Sequence, residues 1–283
     1  MTSLTGGLAA APAPARRVIY RHSALVRATH WINALCFLIL LMSGLQIFNA
    51  HPALYWGKAS SFDKPFLALT AEERDDGAVK GVTTLFGKSF ATTGLFGASR
   101  DDAGEIAERG FPAWATIPSY QDLATGRRWH FFFAWILVLN GLVYVANLLV
   151  RRRLTREFLP SAREVRSIPH SIWEHARLHF PKGDDALHYN VLQKLAYLSV
   201  IIAFPILILA GLTMSPGIDS GFPWLLSLFG GRQSARAIHF ILASYLFFFF
   251  FVHIVMVLIS GVLNNMRSMI TGRYAIEENS HEA

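Results

Sequence analysis

The chain has 283 residues, 53% of them hydrophobic and only 16% charged, and its 26 Lys and Arg exceed its 19 Asp and Glu to give a net charge of +7. That balance excludes an ordinary soluble enzyme, and because the basic residues gather beside apolar stretches it reflects membrane topology rather than nucleic-acid binding. The one cysteine, Cys36, excludes an internal disulfide, a thiolate-held iron–sulfur cluster and a C-x-x-C-H haem attachment site.

Residues 1–22 read as a cytoplasmic tail, small and Pro-broken without a continuous apolar core, so no cleaved signal peptide is expected. The first apolar span covers about 24–48, with His30 near its start followed by Trp31. Arg16, Arg17, Arg21 and Arg27 precede or enter it, with no acid among residues 1–29, which predicts a cytoplasmic N-terminus. Residues 49–127 form a long periplasmic loop in which seven basic residues face ten acidic ones up to Gly126, and its Phe, Trp and Tyr residues can pack into a small cap or docking surface. The second span, about 129–150, carries His130 at its outer start and stops at Arg151, Arg152 and Arg153, a cytoplasmic signature. The cytoplasmic loop 151–190 is basic and amphipathic, as a segment lying on anionic headgroups would be. Its His170, His175, His179 and His188 lack a recognised metal-ligand rhythm. The third span, about 191–214, has no histidine and contains Pro205, which predicts a kink. The fourth runs over about 236–262, and residues 266–283 form a second cytoplasmic tail. The expected fold is an all-α membrane protein, a four-transmembrane-helix bundle over residues 23–265 with a long outer loop between its first two helices.

The fourth span holds two histidines, His239 and His253, with no Asp, Glu, Lys or Arg after Arg236. Fourteen residues are close to four helical turns, so both rings leave nearly the same face about 21 Å apart along the axis. An ionisable residue inside a span is a functional hypothesis, and neutral imidazole is an axial ligand of haem iron. The alternative for each is a hydrogen bond that fastens two helices together. Topology sorts the histidines by depth: His130 and His239 lie at the outer level, His30 and His253 at the inner one. Two bis-histidine haems in a four-helix core require that arrangement. His22, eight residues before His30, is a rival for the inner haem or a propionate contact. Arg27, Arg127, Arg128, Arg232 and Arg236 lie near the same levels, as propionate partners or as snorkelling anchors.

The stretches R-A-T-H-W (27–31), R-W-H-F-F (128–132) and Y-N-V-L-Q-K-L (189–195), with the His239 to His253 spacing, resemble the bacterial di-haem cytochrome b family. That family includes the cytochrome b subunits of nickel–iron hydrogenases, the gamma subunit of formate dehydrogenase, thiosulfate reductase cytochrome b and bacterial cytochrome b561. The resemblance covers all four spans and departs in the long outer loop. It implies two haem b groups held by His30, His130, His239 and His253, and a quinone site at Asn190, with Gln193 one turn on. On the residues alone, Asn190 is equally a helix N-cap, and Lys194 a snorkelling side chain. The resemblance further implies the electron-transfer subunit of an oxidoreductase complex in the bacterial inner membrane. Such a subunit links a periplasmic partner of hydrogenase, formate dehydrogenase, thiosulfate reductase or molybdopterin oxidoreductase type to the quinone pool. The competing reading is a stand-alone cytochrome b561-type oxidoreductase with a small diffusible donor. A transporter would place acids within the spans and a zinc protease would need H-E-x-x-H; neither pattern occurs.

Overall fold

A computed structural model describes residues 16–73, 75, 77–177 and 189–277. Four long helices dominate it: α1 (Ala24–Asn49), α2 (Leu123–Val150), α5 (Val191–Leu212) and α8 (Arg232–Ile259), of 26, 28, 22 and 28 residues. Each is long and apolar enough to cross a bilayer, since a span needs about 20 apolar residues. Capping sets where they begin. Ser23 accepts the Val26 N–H at the start of α1, and Asp122 accepts the Ala124 and Thr125 N–H groups at 2.9 and 3.1 Å. The Asp122 cap starts α2 six residues before the expected span, so His130 lies two turns inside the helix rather than at its edge.

Helix α1 packs along α2 and α5 along α8. Their buried positions are mostly small or polar, among them Thr29, Ser43, Asn140, Ala203, Ala210, Ala235 and Ala237, whereas Phe132, Leu139, Leu142, Phe248 and Phe251 face outward. That inversion is what lipid demands: packing between helices there relies on close approach and interhelical hydrogen bonds rather than apolar burial. Asn140 supplies one such bond set, donating to the Thr29 carbonyl at 2.9 Å and to Asn33 Oδ1 at 2.7 Å. Helix α5 continues through Pro205.

The expectation of an all-α chain is corrected outside the spans. Residues expected as a loop build a four-stranded antiparallel sheet, β2 (Ala53–Leu54), β3 (Leu67–Glu73), β4 (Val79–Leu85) and β5 (Lys88–Ala91), in that order. A second antiparallel pair follows, β6 (Ala98–Arg100) with β7 (Ile106–Glu108). Strands β4 and β5 meet at Phe86 and Gly87, whose φ values of 48° and 77° are those of a tight two-residue hairpin turn. Leu54 and Leu69 pack on Phe48 at the end of α1, which seats this cap on the bundle. Asn49 reinforces the seat by exchanging two hydrogen bonds with the Phe111 backbone. Arg109 is 2% exposed and holds the chain leading to α2, donating to the Phe111 and Ser119 carbonyls and to Thr116 Oγ1; its burial lowers its pKa.

At the opposite end, residues expected in two separate tails form one sheet, β1 (Arg16–Tyr20) pairing antiparallel with β8 (Arg273–Glu277). Beside it α9 (Val262–Thr271) follows α8 after a break at Ser260 and Gly261. Trp31 Nε1 donates to the Met269 carbonyl and the Arg27 guanidinium to that of Ile270, so α9 is tied to the first turns of α1. The 151–177 segment is a short irregular turn followed by α3 (Ala162–Arg166) and amphipathic α4 (Ile168–Ala176). The turn before α8 holds α6 (Pro216–Gly221) and α7 (Pro223–Leu228).

Candidate functional site

Helix α8 brings one histidine to each of the other histidine-bearing helices, His239 to α2 and His253 to α1, at different levels along its length. The His130 and His239 rings, from α2 and α8, have centroids 6.2 Å apart and planes 62° apart. The His30 and His253 rings, from α1 and α8, are 6.3 Å apart with planes at 56°. Two imidazoles that bind one metal ion from opposite sides, with bonds of about 2 Å and about 1.2 Å more to each ring centre, have centroids about 6.4 Å apart. Both pairs fit a shared iron on that measure. His22 lies between β1 and α1, and it does not enter either ring pair. Burial foremost, then the Arg21 and Arg153 guanidinium groups, hold its pKa down at about 4, which keeps it neutral.

At the His130–His239 pair the far side of each ring is engaged. His239 Nδ1 is 2.8 Å from the Leu207 carbonyl of α5, and since a carbonyl only accepts, that nitrogen carries the proton. His130 Nδ1 is 3.1 Å from Ser43 Oγ on α1. The tautomer that follows leaves Nε2 of His239 as the lone pair for a metal. Two glycines admit these rings. A Cβ on Gly211 would lie 3.1 Å from His239 Cε1, tighter than ordinary contact, and one on Gly44 would lie 3.4 Å from His130 Cε1. None of Ser43, Gly44, Leu207 and Gly211 was expected from the sequence. Their only signature is a pair of small-residue steps, Ser43-Gly44 and Ala210-Gly211, inside apolar helices. At the His30–His253 pair His30 Nδ1 is buried without a hydrogen-bond partner among the described residues, while the Phe249 ring stacks on His253.

The arginines are largely committed elsewhere. Arg236 donates to the Ala53 carbonyl at 2.8 Å and to that of His51, and sits 5.2 Å from the centre of the Phe48 ring. Arg27 reaches Ile270 as described, Arg232 faces Asp219 at 3.8 Å, and Arg127 lies over the Phe131 ring.

Asn190 takes the helix-cap role. Its Oδ1 accepts the Gln193 N–H at 2.9 Å while Gln193 Oε1 accepts the Asn190 N–H at 3.2 Å, so the two share the capping of α5. Lys194 does not snorkel; it pairs with Glu164 at 2.6 Å. That bond, then the backbone N–H and hydroxyl of Ser161, hold the Glu164 carboxyl at about 2. Beside them Phe158, Tyr189 and Tyr197 form an aromatic cluster with ring centres 5.2 to 5.9 Å apart. His170 pairs with Glu174 at 3.2 Å; His179 and His188 lie outside the described residues.

A family model described as prokaryotic cytochrome b561 matches residues 21–272. The chain is also 27% identical over 251 residues to a putative protein-methionine-sulfoxide reductase subunit, YedZ1, of Azospira oryzae, an alignment that covers 89% of this chain and 96% of the relative.

Proposed function

The chain belongs to the prokaryotic cytochrome b561 family, and from there we propose that it is a di-haem b-type cytochrome moving electrons between a periplasmic redox subunit and the quinone pool. The observation that carries this reading is the pair of histidine sites at two depths of α8, with ring separations of 6.2 and 6.3 Å. His130 and His239 would hold the outer haem, His30 and His253 the inner one. When bound, haem b supplies reversible one-electron chemistry. The chain's own residues do the rest: Leu207 and Ser43 orient the outer imidazoles, and the apolar helices keep water from both levels.

The bacterial inner membrane, with both termini cytoplasmic, follows from the arginines at 16, 17 and 21 and from the Arg151–Arg153 run. The membrane domain then spans residues 23–265, and the β cap at 49–127 is periplasmic. The relative is named as a reductase subunit, which favours a protein partner over a small diffusible donor, and a methionine-sulfoxide reductase type joins the partner classes considered. The cap is suited to carry that partner. The Gln233 and Ser234 N–H groups donate to the Gly57 carbonyl, so cap and α8 are bonded less than two turns from His239. Quinone would bind at the cytoplasmic start of α5, with the Asn190 amide nitrogen donating to its carbonyl.

The test is reduction of the purified protein by a quinol, followed at the haem absorption bands. Asn190→Ser keeps an oxygen for the cap and removes the amide donor, so it is expected to slow reduction about tenfold, the effect of one hydrogen bond, with the haem count and unfolding temperature showing that the fold is kept. A protein that no ubiquinol or menaquinol analogue reduces would refute the quinone link, and an unaltered rate in Asn190→Ser would remove Asn190 from the site.

A further inference from the structure

The two histidine pairs differ behind their rings. At the outer level both Nδ1 atoms face acceptors, whereas at the inner level His30 Nδ1 is buried with no hydrogen-bond partner among the described residues. The direction of the Ser43 contact can be worked out. Ser43 Oγ lies 2.6 Å from the Ile39 carbonyl and 3.3 Å from that of Leu40, one turn back along α1. Those carbonyls only accept, so the hydroxyl proton points to them and its lone pair is left to accept the His130 Nδ1–H. The result is a directed chain, His130 N–H to Ser43 O–H to the backbone of α1. The Leu40 carbonyl also lies within reach of His130, which makes Ser43 the side-chain half of that acceptor and the half that mutation removes.

We propose that Ser43 is a positioning residue which, with the Leu207 carbonyl, polarises the two outer imidazoles and sets the outer haem at a lower reduction potential than the inner one. The inference rests on the haem ligation proposed above. A ring that donates from Nδ1 gains imidazolate character at Nε2 and binds more strongly. Ferric iron carries one more positive charge than ferrous iron, so the stronger donor stabilises the oxidised state and lowers the potential. His239 donates to a carbonyl and His130 to a hydroxyl whose own proton is engaged, so both outer ligands are affected. His30 has no equivalent acceptor among the described residues.

The test is a spectroelectrochemical titration of the purified protein beside a pyridine haemochrome count, for the wild type, Ser43→Ala, Ser43→Thr and His239→Ala. The wild type should titrate in two steps, and the component missing from His239→Ala should be the lower one. Ser43→Ala should retain two haems while the lower step moves upward and the other stays in place, and Ser43→Thr, which keeps the hydroxyl, should restore the wild-type value. Two haems with an unmoved lower step in Ser43→Ala, or loss of the higher step in His239→Ala, would overturn this inference alone. Fewer than two haems in the wild type would instead overturn the ligation on which it rests.

Discussion

Replacing Arg236 by methionine tests whether this residue is a structural tether or a free cation near the outer site. The methionine keeps an apolar stem over Phe48 but removes two charge-assisted hydrogen bonds, to the Ala53 and His51 carbonyls. Such bonds contribute about 1.5–3 kcal/mol each. Relief of guanidinium desolvation offsets part of that sum, which leaves a loss of about 2–4 kcal/mol in the attachment of the cap to α8. Proteolysis reads it directly, because cleavage of a segment that opens and closes quickly follows the population of the open form. A loss of this size, at about 1.4 kcal/mol per tenfold, raises cleavage within residues 50–122 by roughly 30- to 1000-fold. Arg236→Lys, with a compact charge that cannot span both carbonyls, should fall between. Cleavage of Arg236→Met within about threefold of the wild type would refute the tether.

Gly211→Ala should disturb the outer site, because its Cβ would lie 3.1–3.2 Å from the His239 ring, whereas Gly44→Ala, at 3.4 Å or more from His130, should be tolerated. The haem count per chain checks this, with the loss expected in the first variant only. The Glu164–Lys194 pair should make the contact between α3 and the start of α5 acid-sensitive. The folded carboxyl titrates at about 2, below its ordinary 4.5, so its stabilisation is complete above pH 4.5 and is lost as pH falls from there toward 2. Unfolding temperatures between about pH 6 and about pH 3 should therefore fall more steeply in the wild type than in Lys194→Met, and parallel curves would contradict the pairing.

What was legible in the sequence was whatever is written in helical period and length. His239 and His253 could be placed on one face because fourteen residues close four turns, and the depth order followed from the arginines at the helix ends. The cap was hidden for identifiable reasons. Strands β3 and β4 bury consecutive residues, Ala68 with Leu69 and Gly81 with Val82, so the alternation that marks a half-exposed strand is blurred. The hairpin from β4 to β5 turns on Phe86 with φ at 48°, where Asn, Asp or Gly is the usual sign. The pairing of β1 with β8 joins segments from opposite ends of the chain, and Lys194 meets Glu164 across 30 residues of sequence. Neither leaves a local pattern. The acceptor for His239 is a backbone carbonyl, that of Leu207, and a carbonyl has no residue type to read.

The central claim is that four histidines form two sites sorted by depth, and counting haem in single variants tests it most directly. Two haem b per wild-type chain are predicted, with one lost in each of His30→Ala, His130→Ala, His239→Ala and His253→Ala. The spectrum that remains should be the same for His130→Ala and His239→Ala, and a different one should be shared by His30→Ala and His253→Ala. A folded wild-type protein without haem, or residual spectra that group the histidines in any other way, would contradict the account.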